Sequence, residues 1–208
     1  MKKLALICML FVVTGCAVGN KYDYHTRAIS LPVKSEMHKK VIFDVEDLRP
    51  YVQSEKKKPN FVGLQRGGFG NPFDVTTASG NPLAMDMKES VTRALNDSGY
   101  DVVSVNKEFD KKSLDDIALQ NNVARVIILT INEWKSDVYM NITLYCDLVL
   151  SIYNDSGSLL IKNDMKFEEA IGGAQISASK NSDTVSSEFG RRIGYLFNKK
   201  EVRDALSF

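Results

Sequence analysis

The side chains with chemistry of their own are few: Cys8, Cys16 and Cys146, with His25 and His38, in 208 residues. The two histidines stand 13 residues apart in a polar stretch. No third ligand accompanies them, so they read as solvated surface and not as a metal site. No nucleophile elbow occurs, and no pair of carboxylates is placed by more than chance. Cys146 falls in a row where every second residue is apolar, and there a thiol is simply a small core side chain. Cys16 differs in its surroundings: Val13-Thr14-Gly15 come directly before it, at the end of an apolar run near the amino terminus. Thr14 and Gly15 are the small side chains that a peptidase cutting beside a modified cysteine requires.

Lys2 and Lys3 form a basic start, and residues 4–13 form an apolar run of 10 residues. That run is well short of the ~20 residues that span a bilayer as a helix, so it reads as a targeting segment. With Val13-Thr14-Gly15-Cys16 it resembles the lipobox of bacterial lipoproteins. The resemblance implies a signal peptide over residues 1–15, diacylglycerol on the sulfur of Cys16, a further chain such as palmitate on its amino group, and Cys16 as the mature start. Ala17, standing where Asp would retain such a protein, implies sorting to the outer membrane, facing the periplasm. The bland alternative is an ordinary secretory signal with an incidental Cys16. Each buried methylene contributes about 0.8 kcal/mol, so one acyl chain holds marginally and two or more hold lastingly.

Loss of residues 1–15 leaves 193 of the 208 residues, enough for one domain with a core. Losing Lys2 and Lys3 takes 27 Lys+Arg to 25 against 26 Asp+Glu, a net charge of −1. A near-neutral chain carries no electrostatic footprint for nucleic acid. With Cys8 removed and Cys16 lipidated, Cys146 has no partner for an intrachain disulfide. Residues 16–40, without clear periodicity, read as the lipidated end and a flexible tether with a reach of about 27 Å. The folded domain is expected over residues 41–208.

Within it, Val41-Ile42-Phe43-Asp44-Val45 reads as a strand ended by Asp47-Leu48-Arg49-Pro50. Residues 61–64 suggest a short second strand. The glycine-rich stretch Gly67-Gly68-Phe69-Gly70 follows, an exposed turn and a candidate partner-contact loop. It is no phosphate cradle, because no Gly-Lys-Ser/Thr follows it. From Met85 the period becomes helical through Met87, Val91, Ala94 and Leu95, with Gly99 where a left-handed cap residue is wanted. Residues 100–105 read as a strand and Ser113 opens a second helix carrying Leu114, Ile117 and Ala118. Residues 125–134 read as a central strand, apolar on both faces. Residues 140–152 alternate at period two. The turn Asn154-Asp155-Ser156-Gly157 then makes a hairpin in which partners sum to 311, pairing Ile152 with Leu159, Cys146 with Met165 and Asp147 with Asp164. Its wet face carries Tyr139, Tyr145 and Tyr153, a possible platform for a glycan or small ligand; it is also compatible with the lumen of an oligomeric barrel. A last long helix begins near Asp183 with Val185, Phe189, Ile193, Leu196 and Phe197 on one stripe, and a terminal helix adds Val202 and Leu206.

Asp47-Leu48-Arg49-Pro50, Val62-Gly63 before Gly68-Phe69-Gly70, Ala94-Leu95 with Ser98-Gly99-Tyr100, and the hairpin from Leu148 to Phe167 resemble the YajG-type family of uncharacterised bacterial lipoproteins. The resemblance implies one α/β (α+β) domain, a mixed sheet with helices packed on it and a β-α-β-α-β-β-β-α core. Such a core is like the TolB N-terminal domain and the wall-synthase activator LpoB. It brings no catalytic residues and no cofactor. The function expected is a non-catalytic envelope lipoprotein, held to the membrane by its lipid, that binds a protein partner or supports an envelope assembly. An LpoB-like activator would need a long proline-rich tether, and residues 16–40 contain Pro32 alone.

Overall fold

The computed structural model describes residues 20–104 and 114–207. Val13, Thr14, Gly15, Cys16 and Ala17, together with Val105 and the helix start expected at Ser113, lie outside the described residues. The strands are β1 (Lys21–Tyr22), β2 (Lys40–Asp47), β3 (Phe61–Arg66), β4 (Pro72–Thr77), β5 (Asp101–Val103), β6 (Arg125–Val138), β7 (Asn141–Asn154) and β8 (Leu159–Gly173). The helices are α1 (Pro50–Gln53), α2 (Leu83–Asp97), α3 (Leu114–Asn121), α4 (Ala178–Phe197) and α5 (Lys200–Leu206).

All eight strands join one mixed sheet through β6. Its first half, Val126 to Leu129, is buried on both faces, as a central strand requires. One edge of β6 pairs antiparallel with β7, from Arg125↔Asn154 to Val138↔Ile142, and β7 in turn pairs with β8. The other edge is divided. β2 lies parallel to the first half, Val41↔Arg125 through Asp47↔Ile131, and β3 lies parallel to the end, Gly63↔Ser136 through Gln65↔Val138. A bulge between Ile131 and Glu133 separates the two. β5 flanks β2, and β4 followed by β1 flanks β3.

Helix α2 places Leu83, Met87, Val91 and Leu95 in the core at steps of four, the spacing of one helical face. Gly99 follows it with φ +89°, and a Cβ there would run into the carbonyl oxygen of Ser35, so both conformation and space demand glycine. Helix α4 adds Val185, Phe189, Ile193 and Leu196 to the same core, and α5 adds Val202 and Leu206. α4 starts at Ala178, well before Asp183, because Asn181 closes the turn ahead of it: its side chain accepts from the Gln175 N–H at 2.8 Å and donates to the Gln175 carbonyl at 2.9 Å. Among the described residues, α3 is the helix on the opposite face, with Leu114, Ile117 and Ala118 over Ile42, Val126 and Ile128.

Two expectations are corrected. The first concerns residues 20–40, which are no free tether. β1 adds to the sheet edge with Lys21↔Thr76, and Tyr22 and Tyr24 are buried. Tyr24 stands edge-on to Trp134 and to Phe189, with ring centroids 6.3 and 5.5 Å apart, and its hydroxyl accepts from the Trp134 indole N–H at 3.1 Å. Two residues suffice to anchor the segment because each buries a large aromatic surface and satisfies its hydroxyl. The chain then crosses α4 where Gly190 and Gly194 let the carbonyls of Ala28 and Ser30 approach closely, and it ends with the Ser35 N–H donating to the Ser98 carbonyl at 2.8 Å.

The second correction is the hairpin register. Ile152 faces Ile161, Cys146 faces Phe167 and Asp147 faces Lys166, partners that sum to 313, after a bulge between Ile152 and Tyr153. The slip is by two, so each apolar side chain keeps its face. It exchanges an Asp147–Asp164 repulsion for an ion pair, Lys166 Nζ to Asp147 Oδ2 at 2.8 Å.

Where β2 leaves β6 and β3 replaces it, Arg49 fills the gap with its side chain fully buried. Nε and Nη2 donate to the two carboxylate oxygens of Asp47 at 2.8 and 2.7 Å. Nη1 donates to the Phe61 and Trp134 carbonyls at 2.5 and 3.4 Å, and Nη2 also donates to Pro59 at 2.9 Å. All five guanidinium N–H groups are thereby used.

Two measurements check these assignments. Tyr24→Ala should lower the unfolding free energy by about 3–5 kcal/mol in urea titration, where a tether residue would leave it unchanged. Arg49→Leu should cost about 3–5 kcal/mol by the same method, because the Phe61 and Pro59 carbonyls lose their donor and Asp47, 12% exposed, loses its partner.

Candidate functional site

Among the described residues, the helices leave much of one sheet face open. Next to α3 it is covered, but β6, β7 and β8 continue beyond that helix with Glu133, Lys135, Asp137, Tyr145, Asp147, Lys166 and Glu168 on the outward side. The alternation of β7 makes this division, since Ile142, Leu144, Cys146, Leu148 and Leu150 all turn to the core.

The polar side chains of the open face are engaged with one another. Arg66 grips Asp137 with two parallel bonds, Nε to Oδ1 at 2.8 Å and Nη2 to Oδ2 at 2.6 Å, which holds the guanidinium pKa above its ordinary value. The Tyr51 hydroxyl donates to Glu133 Oε1 at 2.6 Å; burial first, and this carboxylate second to the opposing Arg49 charge, leave the phenol raised. Lys135 meets Glu133 at 3.2 Å and lies over the Tyr145 ring at 4.8 Å. Burial pushes the Asp147 pKa upward, but hydrogen bonds from Lys166 and from Asn132 at 3.1 Å outweigh it and hold the carboxylate below its usual value. The face is a mosaic of both signs, with Arg66–Asp137, Lys135–Glu133 and Lys166–Asp147 as ion pairs.

Gly67, Gly68, Phe69 and Gly70 form the tip of the β3–β4 hairpin. The Gly67 N–H donates to the Asn71 carbonyl at 2.9 Å and the Gly70 N–H to the Gly67 carbonyl at 2.8 Å, while Phe69 is 94% exposed. β4 itself is an edge addition that the sequence pattern does not announce. Because β3 runs parallel to β6, this tip stands at the same end of the sheet as the Tyr139-Met140 turn. The Ala174 N–H donates to the Met140 carbonyl at 3.1 Å and brings Ile176 to that end as well.

The three tyrosines do not make a platform. Tyr139 is at the tip, Tyr145 lies under Lys135, and Tyr153 packs against the cluster beneath α3. His25 is half-exposed, with Nδ1 2.6 Å from Glu89 Oε2. Among the described residues no three ligand-type side chains gather where they could hold a metal ion. Cys146 is buried, and burial pushes its thiol up to about 12. The residues that composition alone leaves unmarked are Arg49, Tyr22 and Tyr24; the Asp47-x-Arg49 spacing is the one local signal of the buried pair.

No family model matches the chain, and comparison with curated proteins finds no match. Among solved structures, protein XCC0632 from Xanthomonas campestris, of family DUF330, aligns with TM-score 0.51 and 12% identity over 84% of this chain and 92% of that one. Lipoprotein GNA1162 from Neisseria meningitidis gives 0.41 and 10% over 78% and 99%, and the LpoB C-terminal domain from Escherichia coli gives 0.33 and 12% over 61% and 80%. The first shows a shared fold and nothing further; the other two similarities are too weak to support an inference. The fold is the α+β class expected, one domain with a mixed sheet and helices packed on it. No helix among the described residues is long and apolar enough to cross a membrane.

Cys146 should resist a thiol reagent at pH 8.5 in the native protein and become labelled on unfolding in urea, read by mass spectrometry of the peptide that contains it. Labelling at the rate of an unfolded thiol in the native protein would show the side chain to be accessible.

Proposed function

We propose that this chain is the precursor of a non-catalytic, lipid-anchored protein of the bacterial outer membrane, facing the periplasm and binding an envelope protein through its open sheet face. The observation that carries the anchor is Val13-Thr14-Gly15-Cys16 at the end of the apolar run over residues 4–13, which follows Lys2 and Lys3. Cys16 bears the lipid, Val13, Thr14 and Gly15 are the peptidase recognition residues, and Ala17 directs outer-membrane sorting. The similarity of Asp47-Leu48-Arg49-Pro50 and Ser98-Gly99-Tyr100 to YajG-type lipoproteins supports the same reading. A binding role suits a face whose carboxylates and cations already satisfy one another: it offers complementary charge to a partner surface without a group set aside for proton transfer. The glycine-rich tip at residues 67–70 lies at one end of this face.

Cys16→Ser should leave the domain folded, with unchanged circular dichroism, and move it from the membrane to the soluble periplasmic fraction. A variant that stays with the membrane contradicts the lipid anchor. A photo-crosslinking residue at position 145 or 166 should capture one defined envelope protein in living cells, and a crosslinker at Leu119 should not. Equal, diffuse labelling from both positions removes the open face as the contact.

A further inference from the structure

Four exposed apolar side chains lie at one end of the sheet: Phe69 at 94%, Met140 at 79%, Tyr139 at 50% and Ile176 fully exposed. They come from three separate loops that the sheet brings together, since β3 ends beside β6, and β8 ends beside the start of β7. Exposed apolar side chains gathered at one place mark an interaction surface. Where the chain comes from says what that surface meets. β1 runs parallel to β4 and therefore away from the hairpin tip. Asn20 accepts from the Thr76 N–H at 3.2 Å, and the Ser182 hydroxyl in the opening turns of α4 donates to the Lys21 carbonyl at 3.1 Å. From the level of Thr76 to Pro72, where β4 meets the tip, is four strand steps, about 13 Å. From Asn20 back to Cys16 is also four residues, at most about 14 Å whatever their conformation. The leash and the distance to the tip are equal, so acyl chains on Cys16 reach a bilayer only when the domain sits against it.

We infer that the sheet end formed by residues 67–71, the Tyr139-Met140 turn and Ile176 is a membrane-docking surface, seated in the headgroup region of the bilayer that holds Cys16. The inference rests on the lipid anchor proposed above. Phe69, Met140 and Ile176 supply apolar surface, and Tyr139 supplies an aromatic ring with a polar end, the kind of side chain that favours a membrane–water boundary. Docking fixes the orientation of the molecule: the long strands stand up from the membrane and the open face is presented sideways to it.

The test uses the full chain, matured in cells, purified with its lipid and reconstituted into phosphatidylethanolamine–phosphatidylglycerol vesicles. Phe69→Trp adds one fluorophore to the fully buried Trp134, and Leu119→Trp adds it at the far end of the sheet, near Asp155 and Ser156. Both positions are exposed, so either variant folds. The Phe69→Trp protein should show a blue-shifted emission that brominated acyl chains quench, and the Leu119→Trp protein should show neither. If the Phe69→Trp protein sediments with vesicles but its emission stays that of a solvated indole, docking is wrong and the anchor stands. A blue shift without quenching by brominated lipid means that a second copy covers the tip, which also overturns docking. A purified protein that lacks acyl mass and does not sediment with vesicles removes the anchor, and docking with it.

Discussion

A charge that cannot be exposed holds the two halves of the sheet together. Arg49 is enclosed at the point where β6 changes neighbours, and its guanidinium bonds to Asp47 at the end of β2, to Pro59 and Phe61 at the start of β3 and to the carbonyl of Trp134 in β6. A carbonyl buried at a strand junction has neither water nor ladder partner, and leaving it unmet is costly. One planar cation with five donors meets that need at three backbone positions, while Asp47 cancels its charge. Burial lowers the arginine's affinity for its proton, but Asp47 more than reverses this, so the group stays charged within the core. Lysine, with its compact ammonium, could not span the same carbonyls.

From that junction the rest of the molecule follows by simple division. The buried side of β6 continues through Trp134, and Trp134 gives the amino-terminal segment its seat by meeting Tyr24 on one side and Phe189 on the other. Helices α2, α4 and α5 pack on that side. On the reverse side α3 covers only the portion near Ile42 and Val126, and the strands beyond it carry their ion pairs into solvent. The asymmetry is written in alternation: the same residues of β7 that close the core expose Tyr145 and Asp147 to the outside.

The sequence made the repeating parts legible and the singular parts illegible. The period-two row from Ile142 to Ile152 and the helical rows of α2 and α4 each repeat a burial decision several times, so pattern alone identifies strand, helix and inner face. Gly99 was readable because only one residue type suits a left-handed cap. The hairpin register was not, since a shift of two keeps the faces and the Ile152/Tyr153 bulge leaves no mark in composition. β4, with Pro72, Asp74 and Thr76 among its six residues, offers only weak alternation. Residues 20–40 were misread for the plainest reason: two tyrosines in a polar stretch have no period. Their burial depends on Trp134 and Phe189, which lie far along the chain. At the candidate site, the exposed glycine tip was visible as composition, but its neighbourhood with Met140 and Ile176 exists only once β3 and β6 are parallel.

The seat of Tyr24 and Arg27 on α4 has a consequence in time. Arg27 donates to the carbonyl of Asp183, 156 positions away. At ~5–20 residues per second of synthesis, the opening segment waits about 10–30 s before its docking site has been made. The first part of the described chain to be made is thus among the last to settle, because the helix it packs on is made late.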